Sequence, residues 1–305
     1  MAVITLRDPT SIYNSQNRLF REGVELEKGV VITEGFLERN EGFLEEQLQI
    51  YTVYPDCYLD TIKPTDSQFD LFPYQRLFLR ALMRYNQIYI TATRAASKSF
   101  LSVLGLFLQC VFIPNHKCSI VAPVKTQGVK IMRQKVEEIL KIWPLLEKEL
   151  EVFMGKPHMN FSKDVAELYF KNGSKFTCEG ATESSRGLRL HATFLDEVRD
   201  ADGDIISEVI LPQLNVSRRD ANGLVNPYEV CNQQVIAGTS AGMKSSYAYS
   251  LLIETMIQAI IDPKRAFVMG LDYRIPAQHG LVDKKHVEKL RMSSAYNEMT
   301  FAAEF

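Results

Sequence analysis

Apolar positions along this chain alternate between short, largely apolar runs of four to seven residues and a helical three-four repeat. Gln87–Ala92, His116–Ala122, His191–Leu195 and Gln234–Ala237 are runs of the first kind and read as buried strands. Between them lie helical stretches. Leu71-Phe72-Pro73-Tyr74-Gln75 opens a helix carrying Leu77, Phe78, Ala81 and Leu82 on one face and Arg76, Arg80 and Arg84 on another. Phe100–Phe112, Thr126–Leu150, Ile205–Leu214 and Ser245–Ile260 read as further helices, and Glu34–Ile50 as a helical stretch near the start. Ala166–Phe170 and Lys175–Cys178 flank Asn172-Gly173, a hairpin signal. Alternation of strand and helix predicts an α/β fold, a mostly parallel central sheet flanked by helices. Residues 1–65 are expected as an N-terminal arm or lid, 66–245 as the core, and 246–305 as a smaller, mainly helical lid or linker subdomain.

Composition changes this picture little. Of 305 residues, 46% are hydrophobic and 24% charged, which suits a globular protein, and the net charge of −2 gives no whole-molecule attraction to nucleic acid. The five cysteines are scattered without a C-x-x-C pair, so a reduced compartment is expected, and the five dispersed histidines suggest no metal cluster. The N-terminal residues lack the apolar core of a signal peptide, and the apolar run Val103–Pro114 is too short to span a bilayer. Thr300–Phe305 is an apolar, helix-like ending with no stop signal, as expected where a further domain follows.

Chemistry concentrates at the ends of the predicted strands. Tyr89–Ser99 runs from strand through a tight turn into a helix opened by Lys98-Ser99. That is the layout of a phosphate-binding loop, G-x-x-x-x-G-K-[ST], with Ala92 and Ser97 at the two glycine positions. Backbone N–H groups of Ala95, Ala96 and Ser97 would face the phosphates at a helix N-terminus, Lys98 would reach the transferred phosphoryl group, and Ser99 would ligate Mg²⁺. Arg94 sits in the same loop and suits an anion. The alternative is a plain strand-to-helix turn. Thr193–Glu197 ends in two acids at the carboxyl edge of a strand, where Asp196 could support Mg²⁺ and Glu197 could activate water; otherwise the pair caps a turn. After Gln234–Ala237, Thr239 or Ser240 could sense a γ-phosphate, or simply form a helix-entry loop. Gln75 could read an adenine edge with its amide, or serve as a first-turn helix residue. Arg186 and Arg189, in the loop Ser184–Arg189, suit a phosphate or a transition-state charge, or solvent. Lys125, Lys130, Arg133, Lys135, Arg218 and Arg219 are candidates for DNA phosphates or for solvated faces.

In order and spacing, these segments resemble the ATPase domain of tailed-bacteriophage terminase large subunits, the motors of viral genome packaging. The resemblance runs from about Leu71 to Gly242 and more loosely to Phe305. Pro73-Tyr74-Gln75 is similar to the family's adenine motif and Thr93–Ser99 to its arginine-bearing Walker A loop. Ser119–Lys125 is similar to the segment after the second strand, Ser185-Arg186-Gly187 with Phe194–Glu197 to the arginine loop and Walker B, and Gly238-Thr239-Ser240 to the coupling motif. The resemblance implies a RecA-like P-loop (ASCE) core with a small helical lid and hydrolysis of ATP with Mg²⁺. It implies translocation of double-stranded DNA into a procapsid by a homo-oligomeric ring, expected as a pentamer, with portal protein and small terminase subunit as partners. By position, Arg186 would reach a neighbour's ATP, with Arg189 second. The implied location is the host cytoplasm, transiently docked on the procapsid, with no membrane. The RNase H-like nuclease of full-length members has no room after residue 260, so only the ATPase part is expected.

Other readings remain. A helicase-like DNA-remodelling ATPase shares these motifs, although about 60 residues after Gly242 cannot hold a second RecA-like domain. Asp196, Glu197, Asp200, Asp202 and Asp204 could form a two-metal nuclease cluster. A nucleotide-binding scaffold that does not hydrolyse would also tolerate the altered loop.

Overall fold

A computed structural model of the chain describes residues 3–4, 30–31, 41–220, 222–226 and 229–292. The helical expectation over 34–40 and the chain end at 300–305 lie outside these. The main body is a sheet of eight strands: β1 (Gln87–Ala92), β2 (Lys117–Ala122), β3 (Met159–Phe161), β4 (Ala166–Tyr169), β5 (Lys175–Gly180), β6 (Ala192–Asp196), β7 (Gln234–Thr239) and β8 (Ala266–Leu271). Their spatial order is β8-β1-β7-β6-β2-β5-β4-β3. The six strands from β8 to β5 are parallel, and β5-β4-β3 continue as an antiparallel meander.

The parallel strands are apolar without alternation because both faces are covered. Ile88 and Ile90, Ile120, Phe194 and Ile236 point into one core. Their neighbours Tyr89, Val121, Leu195 and Ala237 point into a second core on the opposite face. Helices α3 (Pro73–Leu82), α4 (Lys98–Phe112) and α5 (Lys125–Ile142) supply side chains to the first core. An irregular helical segment over 203–215 and helix α6 (Tyr247–Ile261) supply the second. α4 lies deepest, with Val103, Leu104, Leu106, Phe107, Leu108 and Cys110 each fully inaccessible, so its apolar run is explained by the protein interior. Among the described residues, no helix is long and apolar enough to cross a membrane.

Several elements differ from the pattern read in the sequence. The helix expected over Thr126–Leu150 stops at Ile142; Trp143 leaves the helical region at φ −124° because Pro144 follows, and Pro144–Glu149 forms a 3₁₀ turn. The stretch around Ile205–Leu214 is part α, part π and part 3₁₀, with Pro212 inside the 3₁₀ portion. Beyond residue 246 the chain is not only helical. β8 pairs along its whole length with β1, from Ala266↔Gln87 to Leu271↔Ala92, and forms an edge of the main sheet. The short helices α7 (Arg274–Gln278) and α8 (Lys284–Arg291) follow.

At the other end, α1 (Glu41–Val53) and α2 (Pro55–Ile62) precede the core. α2 is built into it: Leu59 is fully buried and its carbonyl accepts the Trp143 indole N–H at 3.1 Å. Asp56, also fully buried, accepts two bonds from Arg80 at 2.8 and 2.7 Å, so that charge is matched. The hairpin at Asn172-Gly173 forms, with Gly173 at φ 82°.

Candidate functional site

The loop joining β1 to α4 turns through two residues with left-handed backbone, Ala95 at φ 65° and Ser97 at φ 63°. A left-handed non-glycine residue costs about 1–2 kcal/mol. Here the surroundings hold it. Ser97 is the residue that caps α4, and its carbonyl accepts Leu101 N–H at 2.9 Å. The first turn of a fifteen-residue helix leaves N–H groups facing the loop. Lys98 is 8% exposed, and its ammonium donates to Ala92 O at 2.6 Å, across the base of the loop.

β6 delivers the two acids. In the sheet β6 is separated from β1 only by β7, and Asp196 is level with Gly238 while Thr239 is level with Thr91. All three strands therefore end at one edge, and Ser99 Oγ donates to Asp196 Oδ1 at 3.4 Å. Asp196 is 4% exposed, and its carboxyl is pushed up to about 6 by burial and then by the neighbouring Glu197 charge, against the opposing effects of Lys98 and Ser99. Glu197 itself is left-handed, φ 45° and ψ 52°, and its carboxylate accepts Ser240 N–H at 3.4 Å. A hydroxyl and a carboxylate oxygen beside a helix N-terminus form a donor set that fits a hard cation with phosphate oxygens. The buried Asp196 carboxylate, hard to ionise alone, is the group such a cation would neutralise.

These residues open into a cleft of about 800 Å³. Thr93 to Ser99 and Glu197 line one end, and Phe69, Phe72, Gln75, Phe100, Lys135 and Leu281 are among the residues of its wall. Gln75 is 4% exposed; its Oε1 accepts Phe72 N–H at 2.9 Å, closing the start of α3, and its Nε2 donates to Tyr74 Oη at 3.4 Å. The helix-start role is thus formed, with the amide also in the cleft wall. Phe72 stacks on His279 at 4.3 Å between ring centroids.

Lys98, Ser99, Asp196, Glu197 and the loop residues Arg94, Ala95, Ala96 and Ser97 come together at this edge. Thr239 reaches the same edge, yet it is 1% exposed and its hydroxyl donates to Ser240 O at 2.8 Å. Ser240 is equally buried, at 1% exposed, and its Oγ has no hydrogen-bond partner. Arg186 stands apart on the exposed loop after β5, its guanidinium on Glu183 with one contact at 3.2 Å. Arg189 is exposed as well. Lys125, Arg133, Lys135 and Arg218 each face a carboxylate: Glu179, Glu137, Glu138 and Glu229. Among the described residues, no three His, Cys, Asp or Glu side chains converge as a metal site, so Asp200, Asp202 and Asp204 do not join Asp196 and Glu197 in a cluster.

Three residues beside the site were not legible as such. Arg199 follows the acids by two positions and lies with its Nε 3.8 Å from Glu197 Oε2. From beyond β8, a strand whose short apolar run carried no motif, Leu281 reaches the cleft wall and His279 stacks on the wall residue Phe72. Only the Asp-Glu-x-Arg spacing gave any sign of the first.

No family model matches the sequence, and no curated protein matches it. Solved structures do match. The large terminase ATPase domain of Thermus phage P74-26 superposes with a TM-score of 0.50 at 16% identity, covering 75% of this chain and 91% of that one. The chain has the fold of a phage large-terminase ATPase domain. The HK97 bacteriophage large terminase gives a TM-score of 0.52 at 15% identity over 82% of this chain and 50% of that one. The large terminase of a thermophilic bacteriophage, in complex with ADP, gives 0.51 at 13% identity over 77% and 52%. The chain thus spans about half the length of these two terminases. At such identities the shared property is the terminase-type fold.

Proposed function

We propose that this chain is the ATPase part of a terminase large subunit, hydrolysing ATP with Mg²⁺ to drive double-stranded DNA into a procapsid. The observation that carries the reading is Ser99 Oγ at 3.4 Å from Asp196 Oδ1, with Lys98 buried beside them at the start of α4. A terminase of like fold that holds ADP, that of the thermophilic bacteriophage, supports it. Ser99 and Asp196 would hold a magnesium ion, which would supply charge neutralisation at the phosphates. Lys98 leaves Ala92 O for the γ-phosphate, while Arg94 and the N–H groups of Ala95, Ala96 and Ser97 bind the phosphate chain. Glu197 orients the attacking water and takes its proton. Gln75 faces the base, and the turn at Thr239 and Ser240 registers the γ-phosphate. The active form is a ring, expected as a pentamer, on the portal, loaded with DNA by a small terminase subunit. An arginine from the next subunit, Arg186 first and Arg189 second, completes each site and is worth about 10³–10⁵ in rate. The host cytoplasm, with docking on the procapsid, is the setting.

The test is ATP turnover by the wild type, Lys98→Ala and Glu197→Gln. Loss of nucleotide binding in the first and retention of binding without turnover in the second are expected; wild-type turnover in both ends this reading. Mixing Arg186→Ala with Glu197→Gln subunits should restore part of the lost activity, and absence of any recovery argues against an arginine acting in trans. A scaffold that binds without hydrolysing is the one rival with an observation behind it, the Lys98 ammonium turned back on Ala92 O. Tight ATP binding without turnover by an assembled ring would favour it.

A further inference from the structure

The loop after β6 and the loop after β7 are joined by one side chain that no motif predicted. Arg199 lies 19% exposed between them. On one side its Nε is 3.8 Å from Glu197 Oε2 and 3.6 Å from Asp200 Oδ2. On the other its Nη1 donates to Ala241 O at 3.2 Å. The same Glu197 oxygen accepts Ser240 N–H at 3.4 Å, and a methyl group placed on Gly242 would stand 3.3 Å from Arg199 Cβ. Glu197 is thus fastened to the 240–242 turn twice, directly through an N–H and indirectly through a guanidinium. Its own backbone is left-handed, a conformation that surrounding contacts must hold.

We propose that Arg199 is a positioning residue for the reaction: it holds the Glu197 carboxylate against the turn after β7. Guanidinium suits this role because its fork can engage a carboxylate and a carbonyl in different directions at once. The inference rests on the reading of Glu197 as the water-activating group.

The experiment compares wild type, Arg199→Ala, Arg199→Lys, Glu197→Gln and Arg199→Ala/Glu197→Gln, measuring the dissociation constant for a fluorescent ATP analogue alongside single-turnover hydrolysis. Misplacing a reacting group by about 1 Å costs about 10²-fold, so a loss of that order is expected in the hydrolysis step of Arg199→Ala. Nucleotide affinity should stay within about twofold, as for a group acting only on the chemical step. Arg199→Lys should recover part of the loss, and adding Arg199→Ala to Glu197→Gln should cost nothing more. Unchanged hydrolysis in Arg199→Ala, a loss confined to nucleotide affinity, or a loss that adds in full to that of Glu197→Gln overturns the role of Arg199 and leaves the ATPase reading standing. A wild-type chain that binds no nucleotide overturns both.

Discussion

Ser99 Oγ and Asp196 Oδ1 are 3.4 Å apart although 97 positions separate them in sequence. One opens a helix and the other closes a strand two places away in the sheet. Their contact follows from parallel pairing: β1, β7 and β6 run in the same direction and in close register, so the three loops that leave them share an edge.

The buried carboxyl at that edge makes stability depend on pH. Asp196 is raised from 3.8 to about 6. The folded chain then binds more protons than the unfolded one between about pH 4 and pH 6, and this group's contribution to stability falls as pH rises through that window. A shift of two units corresponds to about 3 kcal/mol as an upper figure. In buffer with EDTA, Asp196→Asn and wild type should unfold alike near the bottom of the window, and the variant should be more stable by up to that amount above it. Parallel stability curves across the whole range would refute the assignment.

Ser97 tests the altered phosphate loop. Glycine relieves left-handed strain of about 1–2 kcal/mol but adds freedom to the unfolded chain, so Ser97→Gly should change stability by less than about 1 kcal/mol. A β-branched residue has no such escape, and Ser97→Val should cost about 2 kcal/mol. Urea unfolding midpoints measure both. Equal stability of the two variants would show that the loop relaxes out of this conformation.

Gly238 carries the close packing of β7 against β6. A Cβ there would stand 2.6 Å from Phe194 Cε2, and Phe194 is 1% exposed. Gly238→Ala should lower stability by about 1–3 kcal/mol, since an enclosed ring has little room to move. Pairing it with Phe194→Leu should recover part of the loss in the same unfolding assay, and full additivity of the two changes would place the clash elsewhere.

Gln75 separates cap from reader. Gln75→Ala removes the acceptor for Phe72 N–H and should cost about 1 kcal/mol in thermal unfolding. Gln75→Glu keeps that acceptor and loses the amide donor. If the amide also faces adenine, this variant should lose preference for ATP over GTP in nucleotide binding. An unchanged preference confines Gln75 to the helix start.

Much of this architecture is legible in the chain. β1 can be read from Gln87 to Ala92 because a strand covered on both faces is an unbroken apolar run. α4 is legible because all of its turns are buried, and the hairpin because Asn-Gly fits few other conformations. β8 is not, since Ala266–Leu271 is a short apolar run whose identity as a strand comes from pairing with β1 rather than from a local signal. The break at Trp143 is hidden within a long amphipathic pattern, although Pro144 announces it.

The candidate site divides in the same way. Lys98, Ser99, Asp196 and Glu197 can be named from sequence because phosphate and metal chemistry restrict residue type and place it at strand ends. The contacts of Arg199, Ser240 and His279 cannot. An arginine two residues after a glutamate or an unpartnered serine hydroxyl gains meaning only from what lies across a loop. The sequence determined which segments would be strands or helices and which groups could bind phosphate, since these depend on neighbours within a few residues. Tertiary structure alone decided that those groups meet, that Asp196 is buried enough to resist ionisation, and which side chains join one loop to the next. Those outcomes depend on distances through space, which only the register of the sheet fixes.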